Sequence, residues 1–167
     1  MSILTTLELL PLVGVIAIAF TPKSNARVTK QIALGFSLLV AAVSIVMALQ
    51  FKSASTGFQF VESRSWISSF GINYAVGIDG IALVLILLTT ILVPLVIVAG
   101  WNESEGGRWS AKVFYILILI LETMMIGVFA ATDVFLFYVI FEAMLIPVYF
   151  LIGGYGRGDR AAAALKF

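Results

Sequence analysis

The chain has 167 residues, of which 62% are apolar and 11% charged, with ten Lys and Arg against nine Asp and Glu and a net charge of +1. An ordinary soluble domain carries about 25% charged residues, so lipid is the expected solvent, and so few cations leave no basic footprint for nucleic acid. Cysteine and histidine are both absent, which excludes disulfides, thiol nucleophiles, Cys-ligated zinc or iron–sulfur centres and His-ligated haem built from this chain alone.

A bilayer core asks for about 20 mostly apolar residues per helix. Five stretches answer to that, at 3–20, 32–51, 78–99, 113–131 and 134–153. Their apolar residues run all round each segment, as expected where neither lipid nor a neighbouring helix offers water. The expected fold is therefore all-α: one polytopic membrane bundle over 1–167, with five transmembrane helices. The first span carries Ala17-Ile18-Ala19, which imitates a signal-peptidase site. A signal peptide, however, has its positive charge before the apolar core, and here Lys23, Arg27 and Lys30 follow it. The segment reads as a retained span.

Basic residues accumulate on the cytoplasmic side, so the loop at 21–31 is expected inside and the N-terminus outside. Counting alternate loops gives Lys23, Arg27, Lys30, Arg108, Lys112, Arg157, Arg160 and Lys166 on one side and only Lys52 and Arg64 on the other. Trp66, Trp101 and Trp109 fall at span edges, where aromatic anchors belong. The longest loop, 52–77, is then external. It ends in an alternating run, Ile72, Tyr74, Val76, Ile78, whose period of two predicts a strand or hairpin on the membrane surface. Asp79 and Asp133 stand where helix N-caps are wanted. Gly153, Gly154, Gly156 and Gly158 look like a phosphate loop, but no strand precedes them, so a helix C-cap and exit is expected. The final Ala161–Ala164 and Leu165 read as the first turn of a sixth helix, and the chain as a fragment of something longer.

Two acids sit where acids are expensive. Glu122 is ten residues before Thr132 and Glu142 ten after it. In a helical hairpin both would lie about 15 Å deep, near the midplane of a roughly 30 Å core. An ionised side chain there costs about 3 kcal/mol on insertion scales. Protonation, a cationic partner or a water-filled cavity relieves that cost, and a carboxyl whose charge depends on a movable partner is the basic part of a proton relay. The plain alternative is a neutral Glu bonding helix to helix. On helix geometry Tyr138, Glu142, Leu145 and Tyr149 share a face. Pro147 leaves the Ala143 carbonyl without its donor, and Pro94 does the same to Thr90, beside Thr89. Glu8, with Pro11 after it, lies nearer the surface and is expected to be solvated or interfacial. The spans hold no Lys, Arg or His to pair with these acids.

The run from Asp133 through Phe141-Glu142-Ala-Met-Leu-Ile-Pro147 to Gly154 resembles the fifth helix of the subunit M family of respiratory complex I, the proton-translocating NADH:quinone oxidoreductase. So does Gly77-Ile-Asp79-Gly80, leading into Thr89, Thr90 and Pro94, and so does the segment from Glu122 to Phe129. The sister antiporter-like subunits usually differ around the glutamate and proline of the Phe-Glu-x-Met-Leu-Ile-Pro form. The resemblance implies a longer protein of about fourteen helices with inverted five-helix repeats. It implies that Glu142 is the fifth-helix glutamate paired in family mechanisms with a lysine on a broken seventh helix, which would lie beyond Phe167. Glu122 matches a glutamate found in many members, not all, and is a possible proton relay. NADH, flavin, iron–sulfur clusters and quinone would belong to other subunits, so no cofactor or metal is expected in this chain. The implied partners are the other membrane subunits, the bilayer and protons, and the implied location is the inner membrane of a bacterium. A multisubunit cation/proton antiporter or membrane-bound hydrogenase subunit would use the same Glu142, while a non-catalytic scaffold would not need it.

Overall fold

In the computed structural model the described residues are 3–22, 25–55, 57–102, 109–156 and 158–166. Lys23, Arg108, Arg157 and Phe167 lie outside them. The elements in order are α1 (Ile3–Ala19), α2 (Ala26–Gln50), β1 (Gln59–Ile67), a 3-10 turn (Ser68–Phe70), β2 (Ile72–Ile78), α3 (Gly80–Ala99), α4 (Ala111–Ala130), α5 (Val134–Tyr155) and α6 (Arg160–Lys166). Helices α2 to α5 are each long and apolar enough to cross a membrane. At 17 residues α1 is shorter, and it packs alongside them. The alanine run lies in the seven-residue α6.

The helix at the centre is α4, which packs against α1, α2, α3 and α5. Its inward residues Tyr115, Leu119, Glu122 and Ile126 are fully buried, a spacing of three to four that keeps them on one side of the helix. On α3 the buried set Ile86, Thr90, Val93 and Ile97 repeats that period, while Val84 and Leu95 are exposed and equally apolar. An outward face of this kind suits hydrocarbon and not water. Pro11, Pro94 and Pro147 all lie inside continuous helices. Near Pro94, the Thr90 hydroxyl pairs with that of Ser44 across the α2–α3 contact at 2.7 Å, and each also reaches a carbonyl of its own helix.

Both expected N-caps form. Asp79 Oδ1 accepts from the Ala82 amide at 2.8 Å, and Asp133 Oδ1 from Phe135 and Leu136 at 2.9 and 3.0 Å. The glycine-rich exit also behaves as a helix end, with Gly156 as the C-cap of α5. Gly154 has a separate reason to be glycine: a β-carbon there would stand 2.5 Å from the ring of Trp109, which leans on Phe150 and Tyr155. At the same end of the bundle Lys112 Nζ donates to the Ala19 and Thr21 carbonyls, 2.8 Å each, closing the C-terminus of α1.

The helix boundary that differs most is the start of α2, six residues before the apolar stretch begins. Apolarity marks the part of a helix that suits lipid and is silent about a polar turn ahead of it. Lys30 thus belongs to a helix and not to a loop. It is buried, with its ammonium 5.6 Å from the Trp101 ring centre.

The segment 52–77 folds into an antiparallel hairpin of β1 and β2, with Arg64 opposite Tyr74 and Glu62 opposite Val76. Gly71 closes its turn at φ 66°, a left-handed conformation that glycine adopts without strain. A register irregularity between Gln59 and Glu62 accompanies the positive φ of Phe60. The hairpin is fastened to the bundle. The Thr132 amide donates to the Ala75 carbonyl at 2.9 Å, Val76 bridges to Ala131, and Trp66 meets Phe135 edge-on.

Candidate functional site

Glu122 is held on the inner side of α4 by Ile118, Leu119, Thr123 and Ile126, all buried with it. It has no solvent exposure, and neither carboxyl oxygen has a hydrogen-bond partner among the described residues. Beside it runs a cleft of about 480 Å³ between α3 and α4, walled by Leu92, Val93, Ile118 and Met125 and reached by Leu151 of α5. Thr89 lines the same cleft, with its hydroxyl donating to its own helix at Leu85. Leaving a buried polar group without a partner costs about 1–3 kcal/mol, and acids kept in membrane bundles at such a cost mark proton or ion sites.

Glu142 occupies the opposite kind of place. It is exposed on α5, on a face shared with Tyr138 and Tyr149, 59% and 40% exposed, and with the exposed apolar side chains of Phe141 and Ile146. The row expected from helical spacing therefore exists, and it faces away from α4. Along α5 only Leu136, Pro147 and Gly154 are buried. The two carboxyls are not joined, since Glu122 makes no hydrogen bond among the described residues. Among the described residues no three Asp, Glu, His or Cys side chains gather as a metal-ligand set.

Of the two placements expected for Glu8, solvated or interfacial, the first does not hold: it is 8% exposed. The Tyr74 hydroxyl of β2 donates to its Oε2 at 2.7 Å, and Oε1 lies where a β-carbon on Gly127 of α4 would come within 2.8 Å. Nearby, Thr5 donates to Glu62 Oε2 of β1 at 2.8 Å. Burial first, and then the bond to Glu8, hold the Tyr74 hydroxyl protonated well above the usual tyrosine range. Nearness to the chain's end suggested solvent, whereas the hairpin folds over that end. A signal was available: Glu8 follows Leu4 and precedes Pro11 at the i, i+4, i+7 spacing of a core-facing stripe.

The model of a known family, NADH-ubiquinone oxidoreductase chain 4, amino terminus, matches residues 6–128. The chain belongs to this chain 4 family. Its similarity to individual members extends further. It is 44% identical to NADH-quinone oxidoreductase subunit M of Mycobacterium tuberculosis over 98% of this chain and 34% of that one. It is 42% identical to NADH-ubiquinone oxidoreductase chain 4 of Arabidopsis thaliana, over 98% and 33%. It is 38% identical to the F(420)H(2) dehydrogenase subunit M of Methanosarcina mazei, over 100% and 33%. The chain thus spans about a third of the length of these curated relatives. In fold it is similar to a chain of respiratory complex I from Thermus thermophilus with bound NADH, at a TM-score of 0.76 and 23% identity, over 96% of this chain and 31% of that one. Within the chain 4 family match lie Glu8 and Glu122. Glu142 falls after residue 128, in the part that the longer alignments to relatives cover.

Proposed function

We propose that this chain is the N-terminal part of a proton-translocating membrane subunit of an NADH:quinone oxidoreductase. It crosses the membrane five times, with the N-terminus and hairpin outside, in the cytoplasmic membrane of a bacterium. Its partners are the other membrane subunits, and it carries no redox centre of its own. Glu142 binds and releases the pumped proton, and Glu122 relays it. The observation that carries this reading is the placement of Glu142: one carboxyl on an otherwise apolar, unpacked face of a membrane-length helix. A charge exposed to hydrocarbon costs about 3 kcal/mol. A further helix bearing a cation, laid on that face, offsets the cost and sets the charge state of the acid by moving. The relatives have about twice this chain's length again from which to supply such a helix.

The test is Glu142→Gln in the full-length chain, assembled in its complex and reconstituted into vesicles. Proton uptake coupled to NADH oxidation should stop, and Glu142→Asp should keep part of it because a carboxyl remains. Parental pumping by an assembled Glu142→Gln complex overturns the reading. A second electron donor is favoured by one observation, the 38% identity to the F(420)H(2) dehydrogenase subunit over the whole of this chain. In that case the purified complex oxidises the reduced deazaflavin F(420)H(2) and not NADH, and Glu142 serves the same proton step.

A further inference from the structure

Glu8 is the single acid of α1, and the proton path sketched above makes no use of it. The bundle nevertheless makes room for it against Gly127 and gives it a partner in Tyr74. Thr5, one turn before Glu8 on α1, donates to Glu62 and stands near enough to the Tyr74 oxygen to influence it. Glu62 is half-buried on β1 between the exposed Val61 and Ser63. Two bonded pairs, Glu8 with Tyr74 and Thr5 with Glu62, therefore stand side by side between the α1–α4 contact and the hairpin.

The inner of those pairs meets α4 at Gly127. A β-carbon on Gly14 would stand 3.0 Å from Leu119, while Glu8 meets Gly127, so α1 and α4 run antiparallel with Pro11 level with the turn at Glu122 and Thr123. Glu122 lies five residues, about 7.5 Å, along α4 from Gly127. Pro11 has no N–H for the Leu7 carbonyl, and a carbonyl so released inside a bundle is an acceptor that water can use.

We propose that Glu8, Tyr74, Thr5 and Glu62 form a proton-conducting port on the hairpin face of the bundle, joining its interior to bulk water. This rests on the proton-translocating reading, and with the hairpin outside the port is an exit. When Glu8 takes up a proton the Tyr74 hydroxyl turns from it to Thr5; the Glu8 proton then passes to the Tyr74 oxygen as the phenolic proton passes to Thr5. The Thr5 proton passes in turn to the Glu62 carboxylate, which releases it to water. Each hydroxyl gains one O–H bond and loses one, so neither Tyr74 nor Thr5 is left charged, and rotation of the two hydroxyls resets the row.

The experiment uses the full-length chain in its assembled complex, reconstituted in vesicles, with Glu142→Gln measured in parallel. Glu8→Gln keeps an acceptor for Tyr74 at nearly the same size and removes the exchangeable carboxyl proton, so it should slow pumping about tenfold or more. Glu8→Asp should restore most of the rate, and Tyr74→Phe, which interrupts the row, should resemble Glu8→Gln. Parental pumping by both Glu8→Gln and Tyr74→Phe, with Glu142→Gln inactive, overturns the port and leaves the reading standing. Parental pumping by Glu142→Gln overturns the reading, and the port then stands or falls on the Glu8 variants alone. If Glu8→Gln impairs assembly, Tyr74→Phe decides, and unchanged pumping in its assembled complex overturns the port.

Discussion

Glu122→Met separates stability from function. The wild-type side chain is fully buried with both oxygens unpartnered, in surroundings that include Ile118, Leu119 and Ile126. A neutral carboxyl in that position forgoes hydrogen bonds worth about 1–3 kcal/mol in the lost solvation of its donor and acceptor. Methionine has a similar length, no strong polar atom, and a flexible thioether that fills irregular gaps. Volume-conserving swaps of this kind usually cost less than about 1.5 kcal/mol in packing, and here the polar penalty is removed in exchange. The net expectation is a chain more stable by roughly 1–2 kcal/mol, a shift of about tenfold in the folding equilibrium. Unfolding in mixed detergent micelles, followed by tryptophan fluorescence, measures it, and the same variant in the assembled complex should pump more slowly. A variant less stable by a kilocalorie or more would refute the reasoning, since it would mean that the carboxyl has a favourable partner inside the bundle.

Two glycines in helices should respond to alanine with opposite signs. Gly35 of α2 faces open space, so alanine should gain up to about 1 kcal/mol of helix propensity. Gly154 of α5 would place a β-carbon 2.5 Å from the Trp109 ring, and an overpacking cost of about 1–3 kcal/mol exceeds that gain; the same unfolding assay compares them. Tyr74 should ionise late in a spectrophotometric titration, and Tyr74→Phe should remove that late component. Because its folded pKa is raised, its contribution is full below the unfolded value of about 10 and is lost as pH rises through the folded one. The parent should therefore lose stability in strong alkali more steeply than Tyr74→Phe.

What could be read in advance from the residues was whatever rests on local pattern. Asp79 and Asp133 cap their helices because a short acid before an apolar run has amides to accept from, whatever the tertiary fold does. The alternation from Ile72 to Ile78 became β2 for a similar reason. Its partner β1 was less visible, because the exposed Val61, Arg64 and Trp66 break the inside–outside contrast that alternation needs. Glu142 and its row of tyrosines could be placed on one face of α5, and the direction in which that face points could not, since it depends on how α5 lies on α4. Glu8 failed for a tertiary cause. The Leu4, Glu8, Pro11 spacing marked a core-facing stripe, but nothing near position 8 told that Tyr74, 66 residues away, and the missing side chain at Gly127 would bury it.

Lys112 links two facts about α1 that looked separate. The helix has 17 residues, about 26 Å of rise; set across a hydrocarbon core near 30 Å as proposed above, its last carbonyls would end close to where water begins. In hydrocarbon every unpaired carbonyl is a liability, and more turns would be the ordinary remedy. Instead a long flexible side chain arrives from the first turn of α4 and brings two donated bonds to Ala19 and Thr21, and in the proposed span it would keep its charge near the headgroups as snorkelling lysines do. A neighbour's cation thus completes a helix too short to complete itself. Shortening the reach at 112, as Lys112→Ser would, should strand the end of α1 in the very zone that Lys112 now lets it cross.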